Sequence, residues 1–189
     1  MNKKSLLAGR RGFTLVELLI VIAILGVLAT VVLVAIDPIE QMARARDSGR
    51  KQTVAQYGHA LEAYATSHEG VYIPEAGWTT SATTNTLVTA GEMTTAPSLP
   101  TAKTGHAVCI PGTAGVVANG WCYDTTTAGT GAGPAVMYVK LESKSEISKC
   151  NVTTGLSPYY TWSSQDGRSG LVCSATEPIP GTQTWNATQ

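Results

Sequence analysis

The side chains able to do chemistry are few, and the most unusual of them is a carboxylate. Glu17 stands at the head of an uncharged apolar run, Leu18–Ile36, reading LLIVIAILGVLATVVLVAI. A charged group inside such a run costs about 2.5–3.5 kcal/mol on membrane-insertion scales, so it demands a partner. The other reactive groups are four cysteines, Cys109, Cys122, Cys150 and Cys173, spaced 13, 28 and 23 residues apart, and three isolated histidines, His59, His68 and His106. No Cys-x-x-Cys pair exists, and these spacings match no zinc module. Also missing are a Gly-x-Ser-x-Gly elbow, a His-Glu-x-x-His pair and a phosphate loop ending in Lys-Ser/Thr. The residues therefore imply no enzyme, cofactor or metal. They suit cross-linking and charge pairing.

Positioning Glu17 requires a membrane-length helix. The nineteen residues from Leu18 to Ile36 are close to the roughly 20 needed to span a bilayer core. The flank before them carries Lys3, Lys4, Arg10 and Arg11 with no acid, which keeps it cytoplasmic under the positive-inside rule. A cleaved secretory signal would have a shorter apolar stretch and a small-x-small site after it, and Leu33-Val34-Ala35 matches that poorly. A plain signal anchor explains length and flank but leaves Glu17 unexplained. Charge is partitioned along the chain as +4 over residues 1–12, −1 over 13–66 and −3 over 67–189, summing to zero. That balance gives no electrostatic reason to expect a nucleic-acid partner.

The junction Gly12-Phe13-Thr14-Leu15-Val16-Glu17 resembles the prepilin processing site of the type IV pilin superfamily. A short basic leader, Gly-Phe at the junction and one acid in an apolar helix coincide. The resemblance implies that a membrane peptidase cuts after Gly12 and that Phe13 becomes an N-methylated terminus; the Glu17 carboxylate then meets the Phe13 ammonium, either of a neighbouring copy during assembly or of its own chain. It is strong over residues 1–70 and only architectural beyond. Gly26 matches the family's usual glycine, a helix breaker; the second breaker, Pro38, lies twelve residues further on, a wider gap than the family's.

Beyond Ile36 the pattern predicts that the helix continues as an amphipathic rod to about Ser67. Ile39, Ala43, Val54, Tyr57, Leu61 and Tyr64 supply one apolar face. Arg44, Arg46, Asp47, Arg50 and Lys51 read either as a neck that pairs with other subunits or lipid headgroups, or as a solvated helix face. Gly70 suits a left-handed stop, and Gly70–Pro74 resembles the turn that follows the long helix in pilins. Residues 75–105 read as a surface excursion with one short helix near Thr86–Gly91. Strands are expected at His106–Ile110, Val116–Tyr123, Ala135–Glu142, Pro158–Ser163 and Gly170–Ser174, with Asp166-Gly167 as a hairpin turn. Trp78, Trp121, Trp162 and Trp185 suit either a small β core or a carbohydrate or partner surface. Asn151 and Asn186 each begin a glycosylation sequon.

The expected fold class is α+β, a long N-terminal helix packed on a small antiparallel sheet. Four segments follow: a leader over 1–12, an apolar membrane and assembly helix over 13–36, an amphipathic continuation over 37–69, and an extracellular head over 70–189. An even number of cysteines in a small exported domain favours disulfides over inert buried thiols. Nearest-neighbour pairing predicts Cys109–Cys122 and Cys150–Cys173, one of three possible connectivities. The resemblance implies a pilus subunit, embedded in the inner membrane with its leader cytoplasmic, then assembled outside the cell for adhesion, motility or DNA uptake. Its implied partners are further copies of itself, minor pilins, the prepilin peptidase and methyltransferase, and the inner-membrane platform. A pseudopilin of type II secretion is the alternative, although only Asp166 and Glu177 are acids in the last forty residues, whereas the major pseudopilin's calcium loop is acidic. A membrane-anchored binding or enzymatic domain is the alternative from a different class.

Overall fold

The computed structural model describes residues 12–78, 85–98, 116–118, 121–127, 130–150 and 155–186. Two compact units result, one ending at Gln41 and the other beginning at Met42.

In the first unit, helix α1 spans Leu15–Ile36, and none of its residues is buried. The helix runs through Gly26 without interruption. It stops at Asp37, which adopts the left-handed conformation (φ 45°). Helix α2, Pro38–Ser67, starts at the next residue. The expected single rod is thus broken between Ile36 and Pro38. The residue before a proline is disfavoured in the helical region, whereas proline is well suited to a first helical position. Asp37 also accepts from the Glu40 N–H through its side chain and its carbonyl, at 3.3 and 3.1 Å. Pro38 therefore begins a helix instead of bending one.

The second unit is built on an antiparallel sheet in the order β1 (Val116–Ala118), β2 (Trp121–Thr125), β3 (Ala135–Lys140), β4 (Ser157–Ser163) and β5 (Arg168–Ser174). Each strand pairs with its sequence neighbour, as short connections favour. The single strand expected over Val116–Tyr123 is in fact two, β1 folding back on β2 with Val117 opposite Cys122. Asn119-Gly120, a strong short-range hairpin signal, lies between them in the sequence. The Asp166-Gly167 turn forms as expected, with Gly167 at φ 60° and Ser163 opposite Arg168. Short helices α3 (Thr86–Thr89) and α4 (Lys144–Ile147) complete the described elements, with one 3₁₀ turn at Glu75–Gly77. The strand expected at His106–Ile110 lies outside the described residues.

One face of the sheet and one face of α2 share a core. Val54, Tyr57 and Leu61 are fully buried with Trp121, Tyr123, Met137 and Val139. The predicted apolar face holds from Ala43 to Leu61 and is half-buried at Tyr64, while Ile39 is exposed. Trp78 stacks on Tyr123 with centroids 4.6 Å apart. Tyr57 O–H and Trp121 Nε1–H both donate to the Pro97 carbonyl, at 3.1 and 2.8 Å, pinning the loop after α3. At Gly58 the α2 backbone lies so close to the sheet that an added Cβ would overlap the Trp162 ring. Three of the four tryptophans are buried core residues. Trp185 is half-buried, its ring beneath the Arg168 guanidinium at 4.3 Å.

Candidate functional site

Gly12, Phe13 and Thr14 have no regular secondary structure, and all three are exposed. Thr14 is extended (φ −79°, ψ 150°) and caps α1. Its hydroxyl oxygen accepts from the Glu17 N–H at 3.2 Å, while Glu17 Oε2 accepts from the Thr14 N–H at 2.9 Å and from the Thr14 hydroxyl at 2.8 Å. This reciprocal capping box satisfies two of the donors that a helix start leaves open. It also places a negative charge in the first turn, where the helix dipole favours it. The sequence alone gives Glu17 a partner at the Phe13 amine, of a neighbouring copy or of its own chain. Thr14-x-x-Glu17 was the signal that a partner stands three residues away.

Behind this cap, α1 offers an apolar surface in which Thr30, its hydroxyl donating to the Val27 carbonyl at 2.7 Å, is the one hydroxyl. Its most apolar stretch has a mean hydropathy of 3.2, long and apolar enough to cross a membrane. Phe13 is 85% exposed. Residues 7–33 match the family model described as the prokaryotic N-terminal methylation motif. The chain carries a prepilin-type methylation motif. The matched span takes in Gly12, Phe13, Glu17 and Gly26 and stops short of Pro38 and the head. No curated protein and no solved structure matches the chain.

The charged neck beyond the motif matches neither sequence reading. Arg50 is completely buried, its Nη1 donating to Asp47 Oδ1 at 2.9 Å and its Nη2 lying 3.6 Å from Glu142 Oε1. The Arg46 guanidinium also donates to Glu142, and Lys51 donates to Glu146 at 2.6 Å. Asp47 accepts from the backbone N–H groups of Glu142 and Ser143, at 3.1 and 2.8 Å. These contacts are intramolecular: the segment after β3 lies on the neck and brings acids to its bases. Burial pushes the Glu146 carboxyl up, but hydrogen bonds and charge from Lys51 and Lys149 outweigh it and leave the pKa lowered.

The cysteines are placed in part. Cys150 and Cys173 form a disulfide, with Cα atoms 5.5 Å apart. None of the described cysteines is a free thiol, and Cys109 lies outside the described residues. Among the described residues no cluster of His, Cys, Asp and Glu has the geometry of a metal site. His59 and His68 are exposed, and His106 lies outside the described residues. The Asn186 side-chain nitrogen, where a glycan would attach, instead donates to the Lys149 carbonyl at 3.0 Å; Asn151 lies outside the described residues.

A second carboxyl pair joins the 3₁₀ turn to the sheet. Asp124, at the end of β2 beyond the reach of β1, is raised to about 7, chiefly by burial and then by a hydrogen bond and charge from Glu75. Glu177 adds to the same negative field and accepts from the Tyr138 hydroxyl at 3.0 Å. Nothing in the sequence pattern pointed to this pair, because residues 75 and 124 meet only through the tertiary fold.

Proposed function

We propose that the chain is a structural subunit, not an enzyme, of a type IV pilus. One observation carries this reading: a methylation motif whose junction is exposed and leads directly into a membrane-length helix with no buried residue. Among the described residues none covers this apolar surface. It requires lipid first and other copies of itself afterwards. In this reading the leader over 1–12 remains cytoplasmic and a prepilin peptidase cleaves the Gly12–Phe13 bond. Residues 13–36 hold the subunit in the inner membrane, residues 37–69 carry the second helix, and the head over 70–189 faces outward. Minor pilins and the inner-membrane platform are the remaining partners.

Cleavage creates an amine on Phe13, and methylation leaves it protonatable near pH 8. The capping box engages Oε2 of Glu17 in both of its bonds. Oε1 remains able to accept from the Phe13 ammonium of another copy inside the filament. Gly26 is the position at which α1 would give way on packing; at Pro38 the helix is already interrupted. Cys109–Cys122 is proposed as the second disulfide of the head.

Intact-mass and N-terminal peptide analysis of the protein from its native cell tests the processing. A chain beginning at N-methylated Phe13 supports the reading; a retained leader, or a start after Ala35, refutes it. Purified surface filaments with this chain as the main band separate the pilus from a secretion pseudopilus. Glu17→Ala, expressed beside the unaltered protein, should be processed yet enter filaments poorly.

A further inference from the structure

At the C-terminal end of α2 the chain forms an open hollow of about 450 Å³, lined among others by Tyr64, His68, Glu69, Tyr72, Pro74 and Thr130. Tyr64 and His68 lie one helical turn apart and their rings stack, with centroids 3.8 Å apart and planes within 12°. His68 Nδ1 lies 2.8 Å from the Tyr64 carbonyl oxygen, which can only accept. In the neutral ring the proton is therefore on Nδ1, and Nε2 is the lone-pair nitrogen. Tyr72 is held edge-on to Trp162, centroids 6.0 Å apart, and its N–H donates to the Gly131 carbonyl at 3.0 Å. Gly131 has φ 68°, and any Cβ there would overlap the Tyr72 carbonyl. That close approach fixes the Thr130 wall against the tyrosine.

Glu69 is the odd residue in this frame. It has φ 57°, a conformation that L side chains adopt only at a cost, and it occupies the left-handed position of the helix stop, directly before Gly70 at φ 83°. The Gly70 N–H closes the helix end by donating to the Ala65 carbonyl at 2.8 Å. That bond calls for a left-handed residue at 69, where glycine would be unstrained and glutamate is not. An exposed carboxylate in a strained conformation therefore stands beside a hollow lined with rings.

Three rings, a carboxylate and an imidazole lone pair, with no lysine or arginine among the lining residues, suit a ligand with an apolar face and several hydroxyl donors. We propose that this hollow binds a neutral pyranose. The sugar's C–H face would lie on the rings while its hydroxyls donate to Glu69 and to His68 Nε2. An anionic sugar would be repelled by Glu69. A quaternary ammonium also suits rings beside a carboxylate, but it has no hydrogen to donate and would leave the imidazole acceptor unused. The site is independent of filament assembly, so its failure and the failure of the pilin reading are separate results.

The test uses the full chain in an uncharged polyoxyethylene detergent that contains no sugar. Saturation-transfer NMR is run with methyl glucoside, methyl galactoside and N-acetylglucosamine, and with choline as the competing class. At least one sugar should receive saturation on its ring C–H protons and shift the Tyr72 ring resonances. Glu69→Gln and His68→Ala should each weaken its binding about tenfold or more, the loss of one strong hydrogen bond. Glu69→Gly should weaken binding equally while the thermal midpoint stays level or rises. The proposal is overturned if no sugar transfers saturation, if choline alone binds, or if Glu69→Gly binds like the unaltered chain. Should a variant misfold, the Tyr72 shifts in the unaltered chain decide the question alone.

Discussion

Asp47→Ala removes one carboxylate and disables three contacts at once. Asp47 accepts from two backbone N–H groups, at 3.1 and 2.8 Å, and is the nearer partner of the fully buried Arg50. Each stranded N–H costs about 1–3 kcal/mol, and breaking a buried ion pair from one side costs about 3–5 kcal/mol. These losses overlap, because Arg50 keeps Glu142 at 3.6 Å. The expected destabilisation of the head is about 4 kcal/mol, a fall of roughly 8–16 °C in thermal midpoint for a chain of this size. Arg50→Met should cost less, about 2 kcal/mol, since Asp47 retains its two N–H donors and the Arg46 guanidinium still serves Glu142. The double variant should then be milder than the sum by about 2 kcal/mol, because Asp47→Ala no longer strands a buried cation. Urea unfolding of the full chain in detergent, followed by fluorescence of the buried tryptophans, measures all three. A cost under about 1 kcal/mol for Asp47→Ala at unchanged m-value, or strict additivity in the double variant, would refute the neck as an internal anchor.

Asp124 makes stability depend on pH with a definite sign. Its folded pKa of about 7 stands above the unfolded value near 4, so its contribution is fully present below about pH 4 and is lost as pH rises through 7. Glu146, lowered in the fold, acts in the opposite sense, its contribution falling away in acid. Between pH 5 and 8 the thermal midpoint of the unaltered chain should therefore drop more than that of Asp124→Asn, and equal slopes would contradict the assignment. Gly58→Ala should destabilise by about 2 kcal/mol through collision with Trp162, whereas Gly49→Ala, with open space around it, should stabilise by roughly 0.5–1 kcal/mol; denaturant midpoints compare the two directly. The Cys150–Cys173 bond, closing a separation of 23 residues, should contribute about 3 kcal/mol, read as the loss in Cys150→Ser/Cys173→Ser. Non-reducing peptide mapping of the same protein should join Cys109 to Cys122.

Local chemistry was legible along the chain because its causes lie within a few residues. The methylation motif, the membrane-length run, the helix stop near Gly70 and the Asp166-Gly167 turn each depend on neighbours close in sequence. The apolar face from Ala43 to Leu61 follows from helical periodicity alone. Two local signals went unread: the capping box Thr14–Glu17 and the Asn119-Gly120 dipeptide between β1 and β2. Pro38 is legible as a breaker, but its effect depends on Asp37 before it, whose left-handed conformation turns a kink into a helix start.

What the sequence by itself could not decide were the long-range pairings. Arg46, Arg50 and Lys51 carry no sign of whether their acids come from solvent, lipid, another subunit or their own chain. The fold supplies Glu142 and Glu146, about 95 residues away, because the strand before them packs on the same helix. Asp124 and Glu75 meet because the 3₁₀ turn packs on β2, and Thr130 reaches the rings at the end of α2 only through the fold. Periodicity reports which face of an element is apolar, since that depends on spacing alone. It cannot report which polar groups will share a buried site, since that depends on how separate elements are stacked.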